Sequence, residues 1–447
     1  MILVAALMAF VPFNVQLDYP GDQEGKGVGI TDFGCLSVAT SPLDASGNTQ
    51  ILMAAHDESG SLLWTDSVHW GDCSEALSIQ PRSGGLILTG SWTQSSSGMN
   101  GVAMAVDGQG AEEWTYLLEL SGTERFTAAA QGNDGTIVCA GSTNSEGAGG
   151  TDLLMVGLDP DGGYLWRKTY GTPGEEAAYH ISPCDDGGFI LVGQAMDWGA
   201  GLGDYWVLRT DSVGDTLWTG TYGGPEFDYP WRGIQCGDFY YVAGNTLSFG
   251  AGSYDWLVLK LDSAGGIVWD AVWGGHGTDS NMALTTRDGL AVVAGGYETD
   301  TDFLSTVVVF DDEGEPLNEW YYESGMLRSI ELLPGGGFLM AGTGFGTGGD
   351  IAVRCVDSEG GTPPLGIETG PEPTVRLRLL PNPASGCVTV MAPTSVGLIR
   401  VYDISGRLAA EARISGDRAT LDVSRLPEGV YTVTLSDGIA SRLTVVR

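Results

Sequence analysis

A short apolar run closed by glycine returns about every fifty residues along this chain, and no other feature narrows its fold so far. It reads GGLILTG from Gly84, GTIVCAG from Gly135, GGFILVG from Gly187, FYYVAG from Phe239, GLAVVAG from Gly289 and GGFLMAG from Gly336. The closing glycines (Gly90, Gly141, Gly193, Gly244, Gly295 and Gly342) are spaced 51, 52, 51, 51 and 47 residues apart. A fixed period of this length marks an array of identical supersecondary units rather than one irregular core. Each run has strand length and small residues near its end, which suits the crowded innermost strand of a blade.

A second mark recurs in phase. D-x-x-G begins at Asp57, Asp107, Asp159, Asp211, Asp262, Asp311 and Asp357. In the first five a tryptophan follows the glycine by four (Trp64, Trp114, Trp166, Trp218, Trp269), the sixth has Trp320 two residues later, and the seventh has none. The spacing predicts a hairpin: aspartate caps the turn through its side chain, glycine takes the left-handed position, and the next strand carries the tryptophan inward as core. Between marks there is room for four strands per unit, and four antiparallel strands per repeat is the build of a propeller blade.

The last D-x-x-G is followed by TPPLGIETGPEP, so the final unit is expected to hold only its two inner strands, with the N-terminus supplying the missing half. Tyr19 to Ile30 aligns without gaps to Tyr170 to Ile181. Chain ends that share one blade close the ring and remove two exposed sheet edges. The count is then seven blades over residues 13–358, with six or eight as alternatives because Cys35 to Thr40 matches the apolar run poorly. The D-x-x-G-x-x-x-W stretch resembles the repeat of pyrroloquinoline-quinone-type propellers, whose tryptophan docks blade to blade. That resemblance implies architecture alone and carries over no quinone-binding residue.

Composition agrees with an all-β chain: 70 glycines among 447 residues, 43% apolar and only 17% charged, with no apolar stretch at helical spacing. The net charge of −37 repels phosphate backbones and anionic lipids, so no nucleic-acid partner is expected. Residues 1–12 read as the apolar core of a truncated signal peptide, too short to span a bilayer, and no transmembrane span is expected. Seven cysteines without a C-x-x-C pair and four histidines make a zinc site improbable, and no cofactor is expected. DPDG at Asp159 hints at a calcium loop but lacks the other ligands.

Residues 359–373, rich in Gly, Pro and Thr, mark a linker. Beyond it about seven short strands fit a small Ig-like sandwich over residues 374–447. LLPNPASGCVTV, IRVYDISGRLA and LDVSRLPEGVYTVTL resemble the type A sorting domain of the type IX secretion system. The matching positions are Pro381, Asn382 and Pro383, then Tyr402, Asp403, Gly406 and Arg407, then Leu426, Gly429 and Tyr431. The resemblance implies the type IX machinery as partner and a secreted or outer-surface location.

No G-x-S-x-G, H-E-x-x-H or complete P-loop is present, and GDQEGK at Gly21 is one residue short of the last. The candidate ligand-binding residues are aromatics in Gly/Ser-rich loops after the apolar runs: Trp92, Trp198, Phe249 and Phe345. Such rings beside acidic loops can stack on sugars. The leading expectation is a non-enzymatic binding propeller whose partner is a glycan or a surface protein. The alternatives are a carboxylate-dependent hydrolase or lyase acting on polysaccharide and a structural surface-layer protein.

Overall fold

The computed structural model describes residues 13–18, 23–43, 47–93, 98–196, 198–344, 351–361, 366–369, 378–380, 386–391, 396–403, 407–415, 418–434 and 440–445. Among them every regular element is a β-strand. Three four-stranded antiparallel sheets cover Glu124–Tyr170, Glu176–Tyr222 and Asp228–Trp273. Two larger sheets flank them, each divisible into two four-strand groups of the same kind. One is joined by a single bridge, Thr49 to Cys73, and the other by the long strand Pro316–Leu332, which serves both of its groups. The arrangement is consistent with a propeller.

In one sheet the strands Glu176–Pro183, Phe189–Ala195, Asp204–Thr210 and Thr216–Tyr222 pair in sequence order. The second and third are buried along their whole length, whereas the fourth is largely open to solvent. Continuous apolar runs of this kind need cover on both faces, and neighbouring sheets supply it midway along each group.

This corrects one expectation. The apolar run is the second strand of its sheet, and the innermost strand is the less apolar segment before it, such as Glu176–Pro183. The closing glycine pairs with the residue just before a β-bulge in that innermost strand, as Gly193 does with Ala178. A Cβ at Gly90, Gly141, Gly193, Gly244, Gly295 or Gly342 would collide with a carbonyl oxygen of the innermost strand. In the first group the small pair is inverted: Gly25 lies on the innermost strand, opposite Ala39. That inversion is why Cys35 to Thr40 looked unlike the other runs.

The seven D-x-x-G segments are turns of one design. In each, the aspartate Oδ1 accepts hydrogen bonds from the amides two and four residues on, as Asp159 does from Asp161 (3.0 Å) and Gly163 (2.7 Å). The same pair of bonds forms at Asp57, Asp107, Asp211, Asp262, Asp311 and Asp357. The glycine that follows has φ between 77° and 88° in all seven, a backbone region open to glycine at no steric cost. The hydrogen-bonded turn accounts for DPDG without a cation.

The repeat tryptophans lie on the outermost strands and dock onto the turn of the next group rather than into their own. The nearest neighbours of a Cβ at Gly110, Gly162, Gly214, Gly265, Gly314 and Gly360 include the rings of Trp64, Trp114, Trp166, Trp218, Trp269 and Trp320. Trp320 holds its place despite the two-residue shift because side chains alternate with period two along a strand.

The N-terminal strand joins the last group, which holds three strands of its own (Pro316–Leu332, Phe338–Gly344 and Ile351–Val356) where two were expected, so the N-terminus supplies one strand and not half of the group. Phe13–Asp18 runs antiparallel along Ile351–Val356, in register from Phe13 with Cys355 to Leu17 with Ile351. Gly366–Thr369, within the segment read as linker, pairs with it from the other side in parallel. Val15, Val28, Cys35 and Leu52 share one apolar cluster with Leu339, Val353 and Cys355, so the first and last groups pack together. Residues 1–12 lie outside the described residues, and no helix among the described ones is long and apolar enough to cross a membrane.

His56 ends the third strand of the first group, wholly buried, with neither ring nitrogen bonded to protein. Burial pulls its pKa down to about 4. A group with a lowered folded-state pKa binds fewer protons than in the unfolded chain. Its stabilisation is therefore present above pH 6.5 and is lost as pH falls toward 4. We expect His56→Leu to remove up to about 3 kcal/mol of acid destabilisation between those limits. Denaturant titrations of both proteins at pH 7.5 and 4.5 measure the difference, and parallel losses would show that His56 is not the titrating group.

In the tail, Arg378–Leu380, Cys387–Met391 and Arg418–Asp422 form one sheet, and Leu408–Ser415, Val396–Asp403, Gly429–Thr434 and Ala440–Val445 form another. Val388, Val390, Ile399, Val401, Leu421 and Val433 belong to one apolar cluster drawn from both sheets.

Candidate functional site: a cationic cavity between the innermost strands

Each innermost strand carries one bulged residue where its register slips against the second strand. These are Lys26, Leu77, Thr127, Tyr179, Trp231, Met282 and Arg328. A bulge leaves its extra residue unpaired and re-aims the side chain. All seven line a single cavity of about 270 Å³, joined there by Arg125 and Arg232. Four of the chain's 20 basic residues thus meet in one place in a protein of net charge −37.

The four cations differ in how they are balanced. Lys26 Nζ lies 2.8 Å from Glu24 and 3.4 Å from Glu75, and Arg328 reaches Glu24 at 2.8 Å. Among the described residues the Arg232 guanidinium donates to backbone, to the carbonyls of Met282 (3.3 Å) and Arg328 (3.4 Å). Among the described residues neither Arg232 nor Arg125 has a carboxylate at ion-pair distance. Burial pulls the Arg232 pKa down to about 10, and the same cause pushes Glu331 up to about 7, opposed by the field of Arg232.

The rest of the wall is aromatic and donor-rich. The rings of Tyr179 and Trp231 stand 5.0 Å apart at 59°. Trp231 Nε1 and Arg328 Nε are buried without a protein acceptor. Arg125 also borders a second cavity of about 200 Å³, where Glu175, Glu176, Gln194 and Met196 face it. Glu176 is engaged there by the amide of Thr172 at 3.0 Å and by its hydroxyl.

The loop aromatics are placed differently from one another. Trp92 is the penultimate residue of the strand Gly85–Thr93, at 7% exposure, and belongs to an apolar cluster. Trp198 is half-buried, edge-on to Trp206 at 5.4 Å. Phe249 is exposed at 43%, and Phe345 lies outside the described residues.

The Gly-rich loops fold back over buried aspartates. Asp152, Asp204 and Asp255 each accept the amide of an alanine four residues earlier, Ala148, Ala200 and Ala251. Burial raises the pKa of Asp204 and Asp255. The loops are therefore short of side chains because backbone must approach a carboxylate. The cavity residues carried no signal in the sequence: Lys, Leu, Thr, Tyr, Trp, Met and Arg at the seven bulges share neither size nor charge.

Of the tail motif, Tyr402 and Asp403 end the strand Val396–Asp403, Leu426 and Tyr431 are buried, and Arg407 is exposed. The Tyr431 hydroxyl donates to the Pro427 carbonyl at 2.7 Å. Gly429 opens the strand carrying Tyr431, while Pro381, Asn382, Pro383 and Gly406 lie outside the described residues. Residues 378–445 match the secretion system C-terminal sorting domain. That domain marks proteins exported to the cell surface or secreted.

No curated protein matches the chain by sequence. Among solved structures, the PorZ surface component of the Porphyromonas gingivalis type IX secretion system is 13% identical, covers 93% of this chain and 69% of its own, with a TM-score of 0.41. A fungal alcohol oxidase of the AA5 family, in complex with copper, is 14% identical over 99% of this chain and 100% of its own (TM-score 0.45). Sqt1 from Chaetomium thermophilum is 12% identical over 97% and 98% (TM-score 0.44). Likenesses at this level carry no argument about activity or blade number.

Proposed function

We propose that the chain is a secreted or surface-displayed binding module of the non-enzymatic kind: a seven-bladed propeller over residues 13–358, a connecting segment at 359–373 whose strand Gly366–Thr369 lies along the last sheet, and an Ig-like sorting sandwich over 374–447 that engages the type IX machinery. The match at 378–445 carries this reading. Seven four-strand groups, each with its D-x-x-G turn, support the blade number, and tryptophan docking from group to group supports quinoprotein-type packing. Closure is supported by the first innermost strand lying against the last: the Val28 amide donates to Ser329 Oγ at 3.4 Å, and Glu24 pairs with Arg328. The Tyr431 to Pro427 bond has the form of the tyrosine corner of Ig-like sandwiches. Against the carboxylate-dependent alternative, the described residues that line the cavity between the innermost strands include four cations and no acid.

Residues 374–447 fused to a periplasmic passenger are expected to carry it to the surface of a bacterium that has type IX secretion. Surface protease accessibility of the passenger measures this. A fusion that stays in the periplasm while the whole chain is exported would overturn the sorting role.

A further inference from the structure

We propose that the cavity between the innermost strands binds a small ring-bearing oxyanion, a hexuronic acid or a sugar phosphate, with its anionic group on Arg125 and Arg232 and its ring against Tyr179 and Trp231. The inference rests on the binding-module reading above and adds the ligand class.

Charge balance comes first. Lys26 and Arg328 are met by Glu24 and Glu75, so they tie the ends of the array together. The surplus is Arg125, together with Arg232, whose charge is offset only by the field of the buried Glu331 and by no ion pair among the described residues. A buried guanidinium without a carboxylate is costly, and a carboxylate or phosphate delivered to it recovers that cost through paired, charge-assisted hydrogen bonds. The planar fork of arginine suits both oxyanions. The orphan donors Trp231 Nε1 and Arg328 Nε are further bonds that an acceptor-rich ligand can take up.

Size and shape then narrow the class. At about 270 Å³ the cavity falls just below the range of drug-sized pockets, which leaves room for one ring and not a chain. Tyr179 and Trp231, tilted at 59°, present the apolar faces on which the C–H side of a pyranose packs. The surrounding charge of −37 excludes polyanions by long-range repulsion, whereas a ligand with one or two charges meets far less of it. Selectivity thus runs against nucleic acids and toward small acids. The remaining cavity wall, Leu77, Thr127 and Met282, adds no competing charge.

Isothermal calorimetry on the purified full chain tests this with D-glucuronate, glucose 6-phosphate, glucose and inorganic phosphate. We expect at least one of the two acidic sugars to bind about tenfold or more tightly than both glucose and phosphate. Separate arms for the two acids distinguish carboxylate from phosphate as the group read. Arg125→Gln, at a half-buried residue without an ion pair, should weaken binding about tenfold and leave the melting temperature unchanged. Trp231→Phe, which keeps a ring and removes Nε1, should weaken it less than Trp231→Leu. Absence of binding by either acid, glucose or phosphate binding as tightly as both acids, or an Arg125→Gln protein with undiminished affinity would each overturn the proposal. Calorimetry needs no export, so its failure leaves the sorting role standing, and a failed fusion leaves the calorimetry untouched.

Discussion

A chain that begins after Thr31 should fail to give a soluble, cooperatively melting repeat array, and one that begins after Asp18 should melt a few degrees below the whole protein. The first change removes both the strand along Ile351–Val356 and the innermost strand of the first group. It takes Val15 and Val28 from the apolar cluster that joins the first group to the last and strips Lys26 and Glu24 from their partners. It also leaves the second strand, Gly34–Pro42, with an unpaired and largely apolar edge, which is a template for aggregation. The second change removes Val15 and one outer strand alone. Burial of a single valine is worth roughly 2 kcal/mol, which in an array of this size moves the midpoint by about 3 °C. Thermal scans and size exclusion of the two truncations measure both effects. An unchanged melting curve for the shorter chain would show that the two ends contribute nothing to one another's stability.

Trp114→Ala is expected to cost about 3–5 kcal/mol, a large part of the 5–15 kcal/mol that holds a typical domain together. Trp114 is 3% exposed, donates from Nε1 to the Pro160 carbonyl at 3.0 Å, and lies against Gly162, where a Cβ would sit 2.6 Å from the ring. Alanine would leave a cavity between two groups and an unmet carbonyl, so the loss falls on the contact that makes neighbouring units cooperate. Trp198→Ala serves as the contrast. Its ring is half-buried against Trp206, and a cost of about 1–2 kcal/mol is expected, between a surface site and a core site. Urea unfolding of both variants measures the ranking. If Trp198→Ala costs as much as Trp114→Ala, packing between groups is no more important than loop packing, and the interlocking role of the repeat tryptophans is wrong.

Much of the repeat was legible because its chemistry is local. An aspartate that bonds the amides two and four residues ahead, and a glycine at positive φ, are requirements set within five residues. They stand at the same spacing in all seven units. The tail was legible for a related reason: a tyrosine reaching back four residues to Pro427 is again a short-range device. The apolar runs announced strands, but their alternation does not say which edge of a sheet faces an axis. That depends on a glycine of one strand meeting a carbonyl of another, and the exchange of roles between Gly25 and Ala39 hid the first unit. The loop aromatics were singled out by composition, and their exposure then depended on neighbours, such as Trp206 for Trp198, that no pattern in the loop specifies.

The amino-acid order alone therefore settles the all-β class, the period, the turns and the export tail, since each is written in contacts between residues close along the chain. The cavity belongs to tertiary structure. Lys26 and Arg328 are separated by most of the repeat array, yet both hold Glu24. Arg125, Tyr179, Trp231 and Arg232 come from three further innermost strands, and only the side-by-side packing of the groups brings them to one wall. A bulge sets the direction of a side chain without constraining its type, so seven unlike residues can occupy seven like positions, and their common destination exists only once the first group packs against the last.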